Sequence, residues 1–176
     1  MKRKLLTSIG ALLFLGAATS ASMAASNSSN MNVTIKIVEG CAVSANDMDF
    51  RQWANLLSPH TATTTVSVTC NVAPGTTNSG VTIADKYKVT LSPGKSANQA
   101  VREMRNTSGN AIKYNIYLNS NYTGIFGDGT GDTSNLEGTV SASANDTYTV
   151  YGRTQVDANN PTPGDYVDNL TLTVSF

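Results

Sequence analysis

The chain has 176 residues, of which only 14% are charged, with 12 Lys and Arg against 12 Asp and Glu. No basic stripe or block stands out, which argues against nucleic acid and anionic membrane surfaces as partners. Two cysteines and one histidine are too few for a zinc site.

The chain opens with Met1-Lys-Arg-Lys4, an apolar run from Leu5 to Ala18, and small residues through Ser22-Met23-Ala24. That order is a secretory signal, residues 1–24, with the mature protein expected to start near Ala25. Its removal takes three basic residues and leaves 9 against 12 acidic ones, a mildly acidic exported protein of one domain's length. In an exported chain, Cys41 and Cys70 read as one disulfide.

From Ala25 to Asn30 the sequence is small and polar, a flexible leader. In Met31-Asn-Val-Thr-Ile-Lys-Ile-Val38, residues Met31, Val33, Ile35 and Ile37 alternate with Asn32, Thr34 and Lys36, a strand with one apolar face. We place an N-terminal extension at 25–38 and the domain at 39–176. Gly40 breaks the next apolar stretch, Val38 to Val43, as a bulge or junction. Ser44 to Ser58 is irregular, with Phe50, Trp53, Leu56 and Leu57 expected to cap one end of a core.

Strand signals then recur between turns, as an all-β sandwich requires. Thr63 to Cys70 places Val66, Val68 and Cys70 on one face, Asn71 to Ser79 is a loop, and Tyr87 to Leu91 alternates before the Ser92-Pro-Gly94 turn. Ala100 to Arg105 and Ile112 to Leu118 form a hairpin, the latter burying Ile112, Tyr114, Ile116 and Leu118 and exposing Lys113, Asn115 and Tyr117. Tyr122 to Phe126, Leu136 to Ala142 and Tyr148 to Thr154 complete the middle.

In the final stretch, Tyr166, Leu170, Leu172, Val174 and Phe176 alternate with Val167, Asn169, Thr171, Thr173 and Ser175. It reaches the last residue without a tail, and ends fray unless tied down, so this strand is expected inside a sheet with both edges paired. The partner would be the matching strand near the other terminus, from the same molecule or a neighbour.

Chemistry finds little support. His60 reads as an exposed loop residue without a nucleophile signature, and Glu39, Glu103 and Glu137 stand in unremarkable settings for paired-carboxylate work. Gly127-Asp-Gly-Thr-Gly-Asp132 has the look of a calcium turn, but a polar loop without an ion is the better reading. Neither catalysis nor a cofactor is expected. Trp53, Tyr117 and Tyr122 would offer stacking faces if the domain bound carbohydrate.

These features resemble the spore coat protein U domain family, which includes subunits of archaic chaperone-usher pili of the Csu type. The resemblance is carried by Gly40-Cys41-Ala-Val43, Thr65-Val-Ser-Val-Thr-Cys70, Leu91-Ser-Pro-Gly94, Tyr114-Asn-Ile-Tyr117, Val150-Tyr-Gly-Arg153 and Gly164-Asp-Tyr-x-Asp168 with Phe176 at the end. Two departures are Arg51 after Phe50, where the family has glycine, and an insertion-like stretch from Pro74 to Asp85.

The resemblance implies an incomplete immunoglobulin-like sandwich, held by a periplasmic pilus chaperone, passed to an outer-membrane usher and completed by the N-terminal extension of the next subunit. Met31, Val33, Ile35 and Ile37 are then the donor face, and Tyr166, Leu170, Leu172, Val174 and Phe176 line part of the acceptor groove. It implies a cell-surface pilus of copies of this chain and related pilins, serving adhesion and biofilm formation. The alternatives are a secreted coat protein closed on its own strand and a carbohydrate-binding module of the same fold.

Overall fold

Alternating apolar residues need a partner layer, and the computed structural model, which describes residues 31, 32, 34, 35, 40–78 and 80–176, supplies it as two sheets facing each other across one core. The chain divides into two units, Met1–Lys36 and Ile37–Phe176. Of the first, the four described residues lie outside any strand, with Met31 and Ile35 exposed. All strands named below belong to the second.

The larger sheet runs in the order β1 (Cys41–Ala45), β2 (Thr61–Cys70), β11 (Asn145–Thr154), β7 (Ala111–Tyr117), β8 (Ile125–Phe126) and β9 (Thr133–Ser134), with β6 (Arg102–Arg105) also paired to β7. The smaller sheet is β10 (Leu136–Thr139), β5 (Lys86–Leu91) and β12 (Leu172–Ser175). All pairings in the two sheets are antiparallel except β8 with β9. The loop expected over Asn71 to Ser79 closes instead with a two-residue ladder, β3 (Thr77–Asn78) against β4 (Val81–Thr82).

Strands form where the two-residue period is cleanest, because each inward side chain then finds the facing sheet. Val66, Val68 and Cys70 from β2, Tyr87, Val89 and Leu91 from β5, and Tyr114 and Ile116 from β7 are all buried. The hairpin of β6 and β7 runs in register from Arg102 opposite Tyr114 to Arg105 opposite Ala111. Three expectations fail by parity or by lack of it. Asn115, on the outward parity of β7, is only 2% exposed, because it bonds Arg102 and the Ala100 carbonyl. Trp53 and Leu57, in a segment without periodicity, are exposed, whereas Leu56 is buried and Phe50 half-buried.

The Cys41–Cys70 disulfide joins residues directly opposite each other on β1 and β2. It closes a loop of sequence separation 29, for which the chain-entropy model gives about 3 to 4 kcal/mol. Replacing both cysteines by serine is expected to lower stability by that amount, measured as the shift in the urea midpoint multiplied by the m-value.

Within the chain, the last stretch is not one continuous strand of one sheet. Val167 exchanges both backbone bonds with Arg105, at the edge of the larger sheet, whereas β12 pairs with β5 of the smaller one, Leu172 opposite Leu91 and Val174 opposite Val89. The stretch thus crosses between sheets over Asp168 to Thr171. Beyond β12 no further strand pairs, so among the described residues one of its edges carries no strand.

Candidate functional site: a groove beside the last strand

Side chains of an interior strand are covered from both flanks, and those of an edge strand from one. Leu172 and Val174 of β12 are accordingly half-buried, as are Tyr166, Asp168, Leu170 and Phe176, while the intervening residues are exposed. The alternation expected from the sequence is intact, but its apolar face is incompletely covered.

A groove of about 560 Å³ opens there. One wall is Tyr166 to Leu170 and Leu172, the other is Ala45 to Met48 with Phe50, and the floor reaches the buried side chains of Val66, Leu91, Ile116, Phe126 and Val150. Of the five residues expected to line such a groove, Tyr166, Leu170 and Leu172 do. Val174 and Phe176 do not line it but pack against the core, and the Phe176 ring lies so close to Gly40 that a Cβ there would meet its Cζ at 2.8 Å. Of the expected donor face, Met31 and Ile35 are described and exposed, and Val33 and Ile37 lie outside the described residues. Met48, Phe50, Met104 and Tyr114 also line the groove, which no pattern in the sequence announces; the Phe50 ring meets Tyr114 edge-on at 6.0 Å.

Polar contacts fix the wall that carries Asp168. Its carboxylate accepts from the Tyr114 hydroxyl at 2.8 Å and from the Lys95 amide at 3.0 Å, and the Lys95 ammonium donates to the Val167 carbonyl at 2.7 Å. Gly94 is required in this turn: its φ is +67°, and a Cβ would strike the Asp168 carboxylate. Burial, then the bond to Asp168, raises the Tyr114 phenol well above its ordinary pKa of 10.0. Tyr87 is raised likewise, by burial first and then by its bonds to Asp146 and Tyr148.

Both phenols must stay protonated in the fold, whereas the unfolded chain releases these protons near pH 10. Stability from this source is therefore constant below about pH 10 and falls as pH rises beyond it. Urea unfolding at pH 8 and pH 11 is expected to show the loss, and Tyr114→Phe to reduce it.

The remaining candidates carry no site. His60 is buried, contrary to the expected exposed loop residue: its amide donates to Thr154 Oγ1, its Nε2 meets the Asn55 carbonyl, and Trp53 stacks on its ring at 3.9 Å. Asp128 spends its carboxylate inside its own loop, accepting from the Thr130 amide, the Thr130 hydroxyl and Thr133 Oγ1; the Thr130 bonds hold its pKa below the usual value. Among the described residues no three His, Cys, Asp or Glu side chains converge on a metal position.

No curated protein matches the sequence. Among solved structures, similarity is found to the CsuC–CsuE chaperone–tip adhesion subunit pre-assembly complex from archaic chaperone-usher Csu pili of Acinetobacter baumannii. The TM-score is 0.46 at 21% identity, over 80% of this chain and 40% of that chain. The family model for the Spore Coat Protein U domain matches residues 27–173, most of the sequence, and the chain belongs to that family.

Proposed function

We propose that the protein is a structural subunit of a surface pilus assembled by the chaperone-usher route, its sandwich completed by a donor strand from the next subunit. The observation that carries this reading is the half-buried apolar face of β12, next to an open edge and a groove that reaches the core. Strand addition fits such an edge: main-chain bonds pair it, and alternate side chains fill the groove. Membership of the family supports the same reading.

The donor is the N-terminal extension, with Met31, Val33, Ile35 and Ile37 as the inserted face, and the acceptor is formed with Tyr166, Leu170, Leu172, Val174 and Phe176. Burying four such side chains yields on the order of 6 to 12 kcal/mol as an upper estimate, against the 5 to 15 kcal/mol by which whole domains are typically stable, about the same size. A subunit without its donor is therefore marginal and aggregation-prone at its open edge. That accounts for a periplasmic chaperone, an outer-membrane usher, and other copies or related pilins as partners. Adhesion and biofilm formation follow as the roles of the finished fibre.

Deletion of residues 25–35 tests the reading. Surface-sheared material from cells that also express the chaperone and usher should give a ladder on an unheated denaturing gel that collapses to monomer on heating, and the deletion should abolish the ladder while leaving the chaperone complex intact. A stable, soluble monomer in both lanes without any chaperone would overturn it in favour of a self-closed coat protein.

A further inference from the structure

Away from the groove, and sharing no lining residue with it, lies a depression of about 250 Å³ formed by Pro59, Tyr117, Arg153, Thr154, Gln155 and Val156. It sits where β2 begins and β7 and β11 end. Tyr122 adjoins it: its ring meets Tyr117 edge-on at 5.6 Å and lies under the Arg153 guanidinium, 5.1 Å from the ring centre. On the other flank, Pro59 precedes His60, on which the exposed Trp53 is stacked.

The arrangement is held in place at a conformational cost. Tyr122 has a φ of +57°, a left-handed conformation that is an outlier for a bulky aromatic residue. The surrounding turn enforces it. Asn119 donates to the Thr123 carbonyl and accepts from the Thr123 amide, its own carbonyl takes the Tyr122 amide, and the Leu118 amide binds the Gly124 carbonyl. Such strain persists where the surroundings over-determine it, and it is concentrated at binding sites.

The Arg153 side chain has no hydrogen bond and no ion pair among the described residues, and neither phenol hydroxyl of Tyr117 or Tyr122 has a partner there. A guanidinium fixed over an aromatic ring with its donors unspent is a ready receptor for a carboxylate, which it can take in two parallel bonds. Tyrosine rings beside it offer apolar faces with little rotamer entropy to lose, and the exposed Gln155 adds a polar group to the rim.

We propose that this depression binds an acidic saccharide, a uronate unit of a polysaccharide, with Arg153 on the carboxylate and Tyr117 and Tyr122 against the sugar ring. The depression, about 250 Å³ against about 300 to 1,000 Å³ for the usual small-molecule pocket, has room for one ring, and the two tyrosines beside the guanidinium favour a sugar over a flexible peptide carboxylate. The unpaired positive charge selects an acidic sugar over a neutral one.

The test is calorimetric titration of the mature protein, in its assembled or chaperone-bound form, with trigalacturonate, maltotriose and a hexaglutamate peptide. Trigalacturonate is expected to bind saturably, at least tenfold more tightly than either of the others. Arg153→Gln should weaken it at least tenfold without changing the thermal midpoint, Tyr117→Ala should weaken it at least tenfold, and Arg153→Lys should recover part of the loss. No saturable binding, equal affinity in the Arg153→Gln variant, or hexaglutamate bound as tightly as the sugar would overturn the proposal, the last by making the site one for acidic peptide.

Discussion

Leu172→Lys is expected to abolish assembly, and Thr173→Lys, one residue along, to leave it intact. Leu172 lines the groove beside the open edge, and Thr173 points to solvent from the same strand. A strand's side chains alternate strictly, so the two ammonium groups sit on opposite faces of one sheet. In a subunit without its donor the Leu172→Lys ammonium still reaches water. An inserted strand would seal it against the apolar floor; of the two carboxylates that line the groove, Asp168 is already bonded by the Tyr114 hydroxyl and the Lys95 amide and Asp47 is exposed on the opposite wall, and burying a charge without a partner costs several kcal/mol. That cost is comparable to the whole gain from the four donor side chains, so insertion should cease to be favourable. The unheated ladder should vanish for Leu172→Lys and persist for Thr173→Lys. Equal ladders would mean that the groove stays open in the fibre, and the proposed assembly would fail.

This pair also marks what the sequence can and cannot convey. The face that β12 presents is written in the alternation of Leu170, Leu172 and Val174, because side-chain direction is local. The same holds for Val66 and Val68, and for Tyr87, Val89 and Leu91, which lie inside as expected. Which edges pair is a matter of distant residues, and no local period encodes it. The final stretch therefore reads as one continuous strand, whereas Val167 bonds Arg105 in one sheet and Leu172 lies opposite Leu91 in the other. Met48 and Phe50 line the groove from a segment with no period at all, leaving only their bulk as a signal. Trp53, Tyr117 and Tyr122 are legible as aromatics in loops and on an outward strand face. Their tie to Arg153 is not, because it depends on a left-handed Tyr122 and on the ends of three strands.

Arg102→Met should destabilise the subunit by about 3 to 5 kcal/mol, the net of several buried acceptors left bare at about 1 to 3 kcal/mol each. Arg102 is fully buried, and no carboxylate forms an ion pair with it among the described residues. Burial pulls its pKa down, and Tyr114 and Asp168 act in the opposite sense. Its charge is solvated instead by the protein: Nε and one terminal nitrogen donate to the Ser92 carbonyl at 3.0 and 2.9 Å, and further bonds reach the Phe126 carbonyl at 2.8 Å and Asn115 Oδ1 at 2.9 Å. Methionine matches the stem in volume but offers no donor, and each buried acceptor left bare costs about 1 to 3 kcal/mol. Removing the buried cation also removes its desolvation cost, which offsets part of this. The acceptors are preformed around a cation, however, and leaving several of them bare outweighs that relief.

The damage should also travel to the groove. The Ser92 that Arg102 holds donates its amide to the Thr171 carbonyl and accepts the Thr171 amide on Oγ, which moors the stretch leading into β12. In hydrogen exchange on the chaperone-bound subunit, the Thr171 amide should lose protection in Arg102→Met before the amides of β2 do. Arg102→Lys keeps the charge but loses the planar fork that serves Ser92 twice, so it should fall between the methionine variant and the parent. A methionine variant within about 1 kcal/mol of the parent, less than one bare acceptor is expected to cost, with Thr171 still protected, would mean that water or a shifted backbone satisfies these carbonyls and that the guanidinium does not hold the groove wall.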